Sequence, residues 1–411
     1  MLKKAILIIP ALLLVAALIT GCSSTQTVTN SVTNSVTVTS QSTATVTTSS
    51  TATVTSSATA TATVTTNSTA TVTNPVTVTT TALPTGSVTL DGAGATFPQP
   101  LYSAWFSKYA GLTGVKINYQ GVGSGAGITA ITNGTVNFGA SDGLLTVAQL
   151  KAAQDAYGQL LTIPMTADAV PVIINISGIN SGQLKLTGEV LANIFLGTVK
   201  NWNDPSIVAL NPGISLPSGA ITVVHRSDSS GTTNIFTNYL DKVSSTWHDQ
   251  VGTANSVNWP TGLGASGNAG VAASVQQTPN SIGYVGLAYA IENKIPFVQL
   301  KNAAGNYISP SVASASAAAN GVTLPDDMRV MITNSADPDA YPIVGFTWIL
   351  VYVNQTDQAK GTALANMLWW AIHDAQADSP SLNYVQLSPI AVAKAEILVK
   401  QIKYQGKPII T

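Results

Sequence analysis

Charge is scarce in this chain. Lys, Arg, Asp and Glu make up 9% of its 411 residues and balance to a formal net charge of −1. That leaves no basic stripe for nucleic acid and no excess of positive charge to steer an anion from a distance. Any anion site must therefore work through local groups. Histidine is nearly absent: His225, His248 and His373 are scattered at spacings that suit no metal centre. Cysteine occurs once, at Cys22, which excludes a disulfide within the chain. From Ser23 to Leu90 there is neither a charged nor an aromatic residue. A stretch built of Thr, Ser, Val and Ala buries too little apolar surface to offset the entropy of ordering its backbone. The Thr-Val alternation would suit a strand, a reading set aside here for that reason. Residues 22–86 are expected to form a flexible, disordered stalk. As a coil of about 65 residues it would span roughly 45 Å.

What is present begins at the N-terminus. Met1 to Lys4 is a short basic segment, and Ala5 to Ile19 is apolar throughout. Together they fit an export signal, and the apolar run is short for a membrane span. The run ends Ile19-Thr20-Gly21-Cys22, which resembles the bacterial lipobox. The expectation is a lipoprotein signal peptide over residues 1–21, with a lipidated Cys22 anchoring an extracytoplasmic protein to the cell membrane.

The folded part is expected from about residue 87 onward. Short β-branched segments such as Val115 to Tyr119, Ala169 to Ile176, Ile221 to Val224 and Phe346 to Val353 read as strands. Helical spacing of apolar residues recurs in Thr233 to Val243, and Gly361 to His373 and Pro389 to Lys403 also read as helices. Strands alternating with helices indicate an α/β class, and the length suits two lobes.

Three segments share one design, a strand followed by a Gly/Ser/Thr-rich turn and a helix. They are Gly92 to Pro98, Gly121 to Gly127 and Arg226 to Thr232. The first turn of a helix carries N–H groups without internal partners, and the helix dipole places partial positive charge there. Glycine permits close approach of a ligand, and Ser and Thr hydroxyls add donors. Three such ends aimed at one point would make an anion pocket. Arg226 would add a fork of N–H groups suited to a tetrahedral oxyanion. In the second segment Gly121, Gly123 and Ala126, with Asp142 downstream, also fit dinucleotide spacing. Export makes that reading unattractive, because nicotinamide cofactors work inside cells.

Gly92-Ala-Gly-Ala-Thr-Phe-Pro98, Tyr119-Gln-Gly-Val-Gly-Ser124, Asn137-Phe-Gly-Ala-Ser-Asp142 and Arg226-Ser-Asp-Ser-Ser-Gly-Thr232 resemble the ligand-binding segments of the PstS family, the phosphate-binding subunits of bacterial phosphate ABC transporters. Ile194 to Gly197, Trp202 to Asp204, Trp259 to Gly264 and Ser281 to Val285 resemble it as well. The resemblance implies a type II periplasmic-binding fold, with lobe one in 87–166 and 344–411 and lobe two in 167–343. It implies phosphate contacts from Thr96, Phe97, Ser124, Asp142, Arg226, Ser230, Gly231 and Thr232, with Asp228 orienting Arg226. His225 would shape the rim, and Ser229 receives no role. The partners implied are inorganic phosphate and the permease and ATPase subunits of the transporter; a monomer without metal or cofactor is expected. A receptor for sulfate or molybdate and a phosphate-ester hydrolase are the alternatives. Asp142 argues for phosphate, because a buried carboxylate can accept a proton that phosphate carries and sulfate lacks.

Overall fold

The computed structural model describes residues 88–411 continuously, and the chain divides into two compact units, Met1–Leu83 and Pro84–Thr411. In the first unit only seven backbone segments of two to five residues are described, from Gln26–Asn30 to Val76–Val78. These are strands paired with one another. Alternating Thr and Val favour extended backbone. The expected signal peptide over 1–21, Cys22 and the rest of the expected stalk 22–86 lie outside the described residues.

In the second unit the main elements run β1 (Thr89–Gly94), α1 (Gln99–Thr113), β2 (Lys116–Gly121), α2 (Ser124–Thr132), β3 (Phe138–Ser141), α3 (Val147–Tyr157) and β4 (Leu160–Ala169). They continue β5 (Val172–Asn175), β6 (Thr222–Arg226), α4 (Gly231–Val243), β7 (Leu263–Ala265), α5 (Gly267–Gln277), β8 (Ser281–Tyr284), α6 (Leu287–Glu292), β9 (Val344–Tyr352), α7 (Gln358–Ile372) and α8 (Pro389–Val399). The elements form an α/β architecture around two main sheets. The first has strand order β4-β9-β3-β1-β2, and the second β5-β8-β6-β7. In the first, β1 is parallel to both β2 and β3, while β9 is antiparallel to β3 and β4. In the second, β6 is parallel to β7 and β8, and β5 is antiparallel to β8.

Two chain crossings join the sheets. The sequence suggests one strand over 169–176, but the backbone changes sheets at Val170-Pro171. Proline has no N–H to continue a ladder, and the Val170 amide donates instead to Ile343 O at 2.8 Å. Ala169 pairs with Val344 at the second crossing. Both β4 and β9 are buried at every position, as their apolar composition demands. Asp168 sits at this junction. Its carboxylate accepts from the Ala169 amide at 2.7 Å and from the Leu287 amide of α6 at 3.1 Å. Burial pushes its carboxyl well above the usual range.

Aromatic side chains fill both cores. Tyr102, Phe106, Tyr119 and Phe138 pack beneath the first sheet, with Tyr119 and Phe138 stacked 6.1 Å apart. Phe236 stacks on Tyr284 at 4.2 Å beside Phe195 and Trp259 in the second. The last helix is shorter than its sequence suggests. It ends at Val399, and Lys403–Tyr404 instead pairs in parallel with Asn354–Gln355. Among the described residues no helix is long and apolar enough to cross a membrane.

Candidate oxyanion site

The three strand–turn–helix segments converge. Gly94, at the end of β1, has φ +148 and its carbonyl accepts from the amides of Val122 and Gly123. That bond pair folds the β2–α2 turn against the β1–α1 turn. The carbonyls of Thr96 and Phe97 are tied off by the Tyr289 and Tyr384 hydroxyls, at 2.5 and 2.7 Å. Among the described residues the amides of Thr96, Phe97, Ser124 and Thr232 donate to no protein acceptor. For Ser124 and Thr232 this follows from their place in the first turn of α2 and α4.

The segments also touch across the two sheet groups. The Gly125 amide donates to Ser229 O at 3.0 Å, and the Gly231 amide to Ser124 Oγ at 3.0 Å. No side chain fits at Gly231. A Cβ there would lie 2.5 Å from Gly143 N and 2.6 Å from Asp142 Cβ, inside van der Waals contact. Ser229, which sequence reasoning left without a role, thus contributes a backbone carbonyl to this contact.

Arg226 ends β6 with its side chain 1% exposed. Its Nε and Nη2 donate to Asp228 Oδ1 and Oδ2 at 2.7 and 2.5 Å, a bidentate fork. Its Nη1 donates to Thr232 Oγ1 at 3.4 Å. Asp228 also accepts from the Gly267 amide at 3.0 Å. Burial pushes the Asp228 carboxyl up, but the hydrogen bonds and charge of Arg226 outweigh it and hold the group below the usual carboxylate range. Asp228 therefore stays ionised and fixes the guanidinium.

Ser124 Oγ accepts from two amides, Asp142 at 3.2 Å and Gly231 at 3.0 Å. With both lone pairs engaged, its O–H is left to donate toward Asp142 or into the pocket. Ser230 behaves differently. Its hydroxyl caps α4 by accepting from the Thr233 amide at 3.1 Å, and its own amide donates to Asn255 O at 2.8 Å. Its backbone donor is thus committed to the protein. The imidazole of His225 stacks on Trp259 at 4.7 Å, with Nδ1 3.0 Å from Arg226 O.

Asp142 is 1% exposed, and its Oδ1 accepts from Thr347 Oγ1 at 2.8 Å. Burial raises its carboxyl from the ordinary 3.8 to about 7, opposed by the Thr347 hydrogen bond, the Arg226 charge and the Ser124 hydroxyl. The folded state then holds this proton more tightly than the unfolded chain. The associated stability is complete below about pH 4 and is lost as pH rises toward about 7. Asp142→Asn removes the ionisation. Without added phosphate its melting temperature is expected to exceed wild type by a few degrees at pH 8 and to converge with it at pH 4. A calorimetric melting series across that range, with no pH-dependent gap, would refute the assignment.

Thr347, Tyr284 and Asn268 were not foreseen from the sequence. Tyr284 OH accepts from the Arg226 amide at 3.2 Å and shares a 2.6 Å hydrogen bond with Thr233 Oγ1. Asn268, fully buried at the start of α5, donates from Nδ2 to Thr96 Oγ1 at 2.8 Å and to Thr232 Oγ1 at 3.2 Å. Among the described residues no group of three or more His, Cys, Asp or Glu could hold a metal ion. The arrangement is a buried cage of donors around one guanidinium, with a buried carboxyl at Asp142 that burial raises to about 7.

Residues 37–366 match the family model of the PBP superfamily domain. The chain is 44% identical over 314 residues to the phosphate-binding protein PstS of Xylella fastidiosa strain 9a5c, covering 76% of this chain and 85% of the relative. It is 43% identical over 317 residues to the PstS of Pasteurella multocida strain Pm70, with 77% and 91% covered. Among solved structures it resembles a high affinity periplasmic phosphate-binding protein bound with phosphate. The TM-score is 0.63 at 24% identity over 75% of this chain and 93% of that one, a likeness of fold.

Proposed function

The chain belongs to the PstS family of phosphate-binding proteins within the PBP superfamily, and from that premise we propose that its donor cage binds one inorganic phosphate ion. It is an extracytoplasmic substrate-binding protein of the type II periplasmic-binding fold, not an enzyme, and it serves uptake of phosphate through an ABC transporter. The observation that carries the assignment to this site is that Arg226, bonded to Thr232, and the buried carboxyl of Asp142, bonded to Thr347 and tied to Ser124, are brought to the same turn between β6 and α4; burial raises that carboxyl to about 7. Donors alone would suit any tetrahedral oxyanion. A buried acceptor among them suits one that carries a proton.

In this reading Thr96 and Phe97 donate through their amides, and Thr96 also through its hydroxyl. Ser124 donates from its amide and hydroxyl, Thr232 from its amide and hydroxyl, and Ser230 from its hydroxyl alone. Gly231 gives the close approach, and Arg226 supplies the charge while Asp228 holds it in place. Residues 88–169 with 344–411 form one lobe and 170–343 the other, the first lobe running past the expected boundary at 166 because β4 continues to Ala169, and they open and close about the paired crossings at Val170 and Ile343. The contact between Ser229 O and the Gly125 amide belongs to the closed form. Calorimetric titration of the purified protein with phosphate and sulfate tests the site. Phosphate should bind and sulfate should be rejected by orders of magnitude. Equal binding of the two would overturn the proposal.

The lipid anchor is a further part of this proposal, supported by the Ile19 to Cys22 motif. A diacylated Cys22 inserts two chains, enough for stable anchoring. Cys22→Ser is expected to release the protein from membranes on fractionation while leaving its phosphate affinity unchanged. Retention in the membrane fraction would point to an uncleaved signal anchor.

A further inference from the structure

We infer that Asn268 sets the polarity of the two threonine hydroxyls in the site, making Thr96 and Thr232 obligate donors to the bound anion. The inference rests on the phosphate reading above and concerns a residue that touches the anion only through others.

The orientation of the Asn268 amide is fixed by what surrounds it. The Gly286 amide can only donate, and it lies 2.9 Å from Asn268 Oδ1. The opposite face of the amide is therefore the NH₂ group. Its two hydrogens go to Thr96 Oγ1 at 2.8 Å and Thr232 Oγ1 at 3.2 Å. A second donor then fills each hydroxyl. Thr96 Oγ1 also accepts from the backbone N–H of Asn268 at 3.2 Å, and Thr232 Oγ1 from Arg226 Nη1 at 3.4 Å. A hydroxyl has two lone pairs and one proton. With both lone pairs taken, the proton is all that each threonine can still offer. Among the described residues neither hydroxyl donates to a protein acceptor. Both protons are thus directed to the pocket.

The consequence is specificity as well as affinity. A free hydroxyl can turn to accept a proton or to donate one, so it reads nothing about its ligand. A hydroxyl locked as donor demands a lone pair, and it rejects an O–H placed opposite. Asn268 thereby leaves Asp142 as the acceptor that receives a ligand proton, and fixes where that proton must lie.

The test is a double-mutant cycle between Asn268→Asp and Thr96→Val, read by calorimetric titration with inorganic phosphate at pH 8. The substitution to Asp is isosteric, but the introduced carboxylate accepts from both hydroxyls and turns their protons away from the ligand. Phosphate affinity is expected to fall at least about 100-fold, as for two lost hydrogen bonds to a charged group. Its added charge acts in every background, whereas its effect on polarity requires the hydroxyls. In Thr96→Val one of the two hydroxyls is gone, so the Asn268→Asp penalty should shrink about tenfold. An equal penalty in both backgrounds would mean that charge or structure alone acts, and would overturn the inference. If Asn268→Asp fails to fold by circular dichroism, Asn268→Ala is carried through the same cycle. A coupling of at least about threefold is expected there, and additivity overturns the inference. Failure of the wild type itself to bind phosphate would instead overturn the assignment of the site.

Discussion

Arg226→Ala is expected to weaken phosphate binding by about 2–5 kcal/mol, roughly 30-fold to several thousand-fold, and to weaken sulfate binding by a similar factor. The guanidinium is the one buried full positive charge in the donor cage, with its side chain 1% exposed. Its Nε and Nη2 are committed to Asp228, so the fork cannot swing away. The remaining N–H groups act on oxygen lone pairs, which every tetrahedral oxyanion has, whatever its protonation. Two further consequences enlarge the effect. Asp228 keeps only the Gly267 amide, and its negative charge then faces the ligand uncompensated. Thr232 Oγ1 loses one of its two donors. Lysine should not restore binding, because an ammonium cannot hold the two Asp228 oxygens and the ligand in one plane. Titration with both anions, with folding checked by circular dichroism, decides the matter. A loss below about fivefold, or one confined to phosphate, would show that Arg226 serves the structure rather than the anion.

Much of this site is legible in the sequence because its logic is local. A helix N-terminus preceded by glycine and hydroxyl residues announces free amides wherever it occurs, and Thr96, Ser124 and Thr232 all belong to such segments. The Arg226–Asp228 fork is two residues apart and needs no tertiary knowledge. The alternation of strands and helices around those turns likewise gives the α/β class. What could not be read is what arrives from elsewhere in the chain. Thr347 is one hydroxyl in the apolar strand Val344–Tyr352, and its only mark is being polar in a run buried at every position. Asn268 follows Leu263 to Gly267 and opens a helix, so it repeats the strand–turn–helix design a fourth time. Its signal was present, but its reach to Thr96 spans 172 positions and follows only from the way the two sheets face each other. Ser230 shows a different limit. Its segment reads as a double donor, but Asn255 takes the amide, and the helix takes a lone pair of the hydroxyl as a cap, which leaves only the hydroxyl proton to donate. Pro171 divides a run that hydropathy alone makes continuous, because a missing N–H outweighs apolar composition where the ladder must change sheets.

Asp142→Asn is expected to weaken phosphate binding less than about tenfold while raising sulfate affinity by one to two orders of magnitude, so that most of the discrimination is lost. The wild-type carboxylate makes one demand of a ligand, a proton to accept. Phosphate at neutral pH carries one or two protons, and sulfate none, so sulfate meets an ionised oxygen with only lone pairs. Desolvation strengthens that repulsion, since the same burial that lifts the group to about 7 leaves little water to screen it. An asparagine at this position keeps the shape. Its carbonyl oxygen can keep the bond from Thr347 Oγ1, as Oδ1 does at 2.8 Å, which turns an N–H toward the ligand. The position then donates where it had accepted, and it no longer carries charge. Phosphate adapts, because it offers lone pairs as well as protons, and the lost repulsion offsets part of the lost acceptor. Sulfate gains on both counts. The pH dependence separates this account from one based on pocket size. In wild type a protonated Asp142 can donate, so sulfate affinity should rise as pH falls through about 7, while in the variant it should be flat. Calorimetric titration of both proteins with both anions at pH 5.5 and 8 measures each arm. Sulfate excluded as strongly by the variant as by the wild type would assign the selectivity to donor geometry, with Asp142 no more than a buried carboxyl beside it.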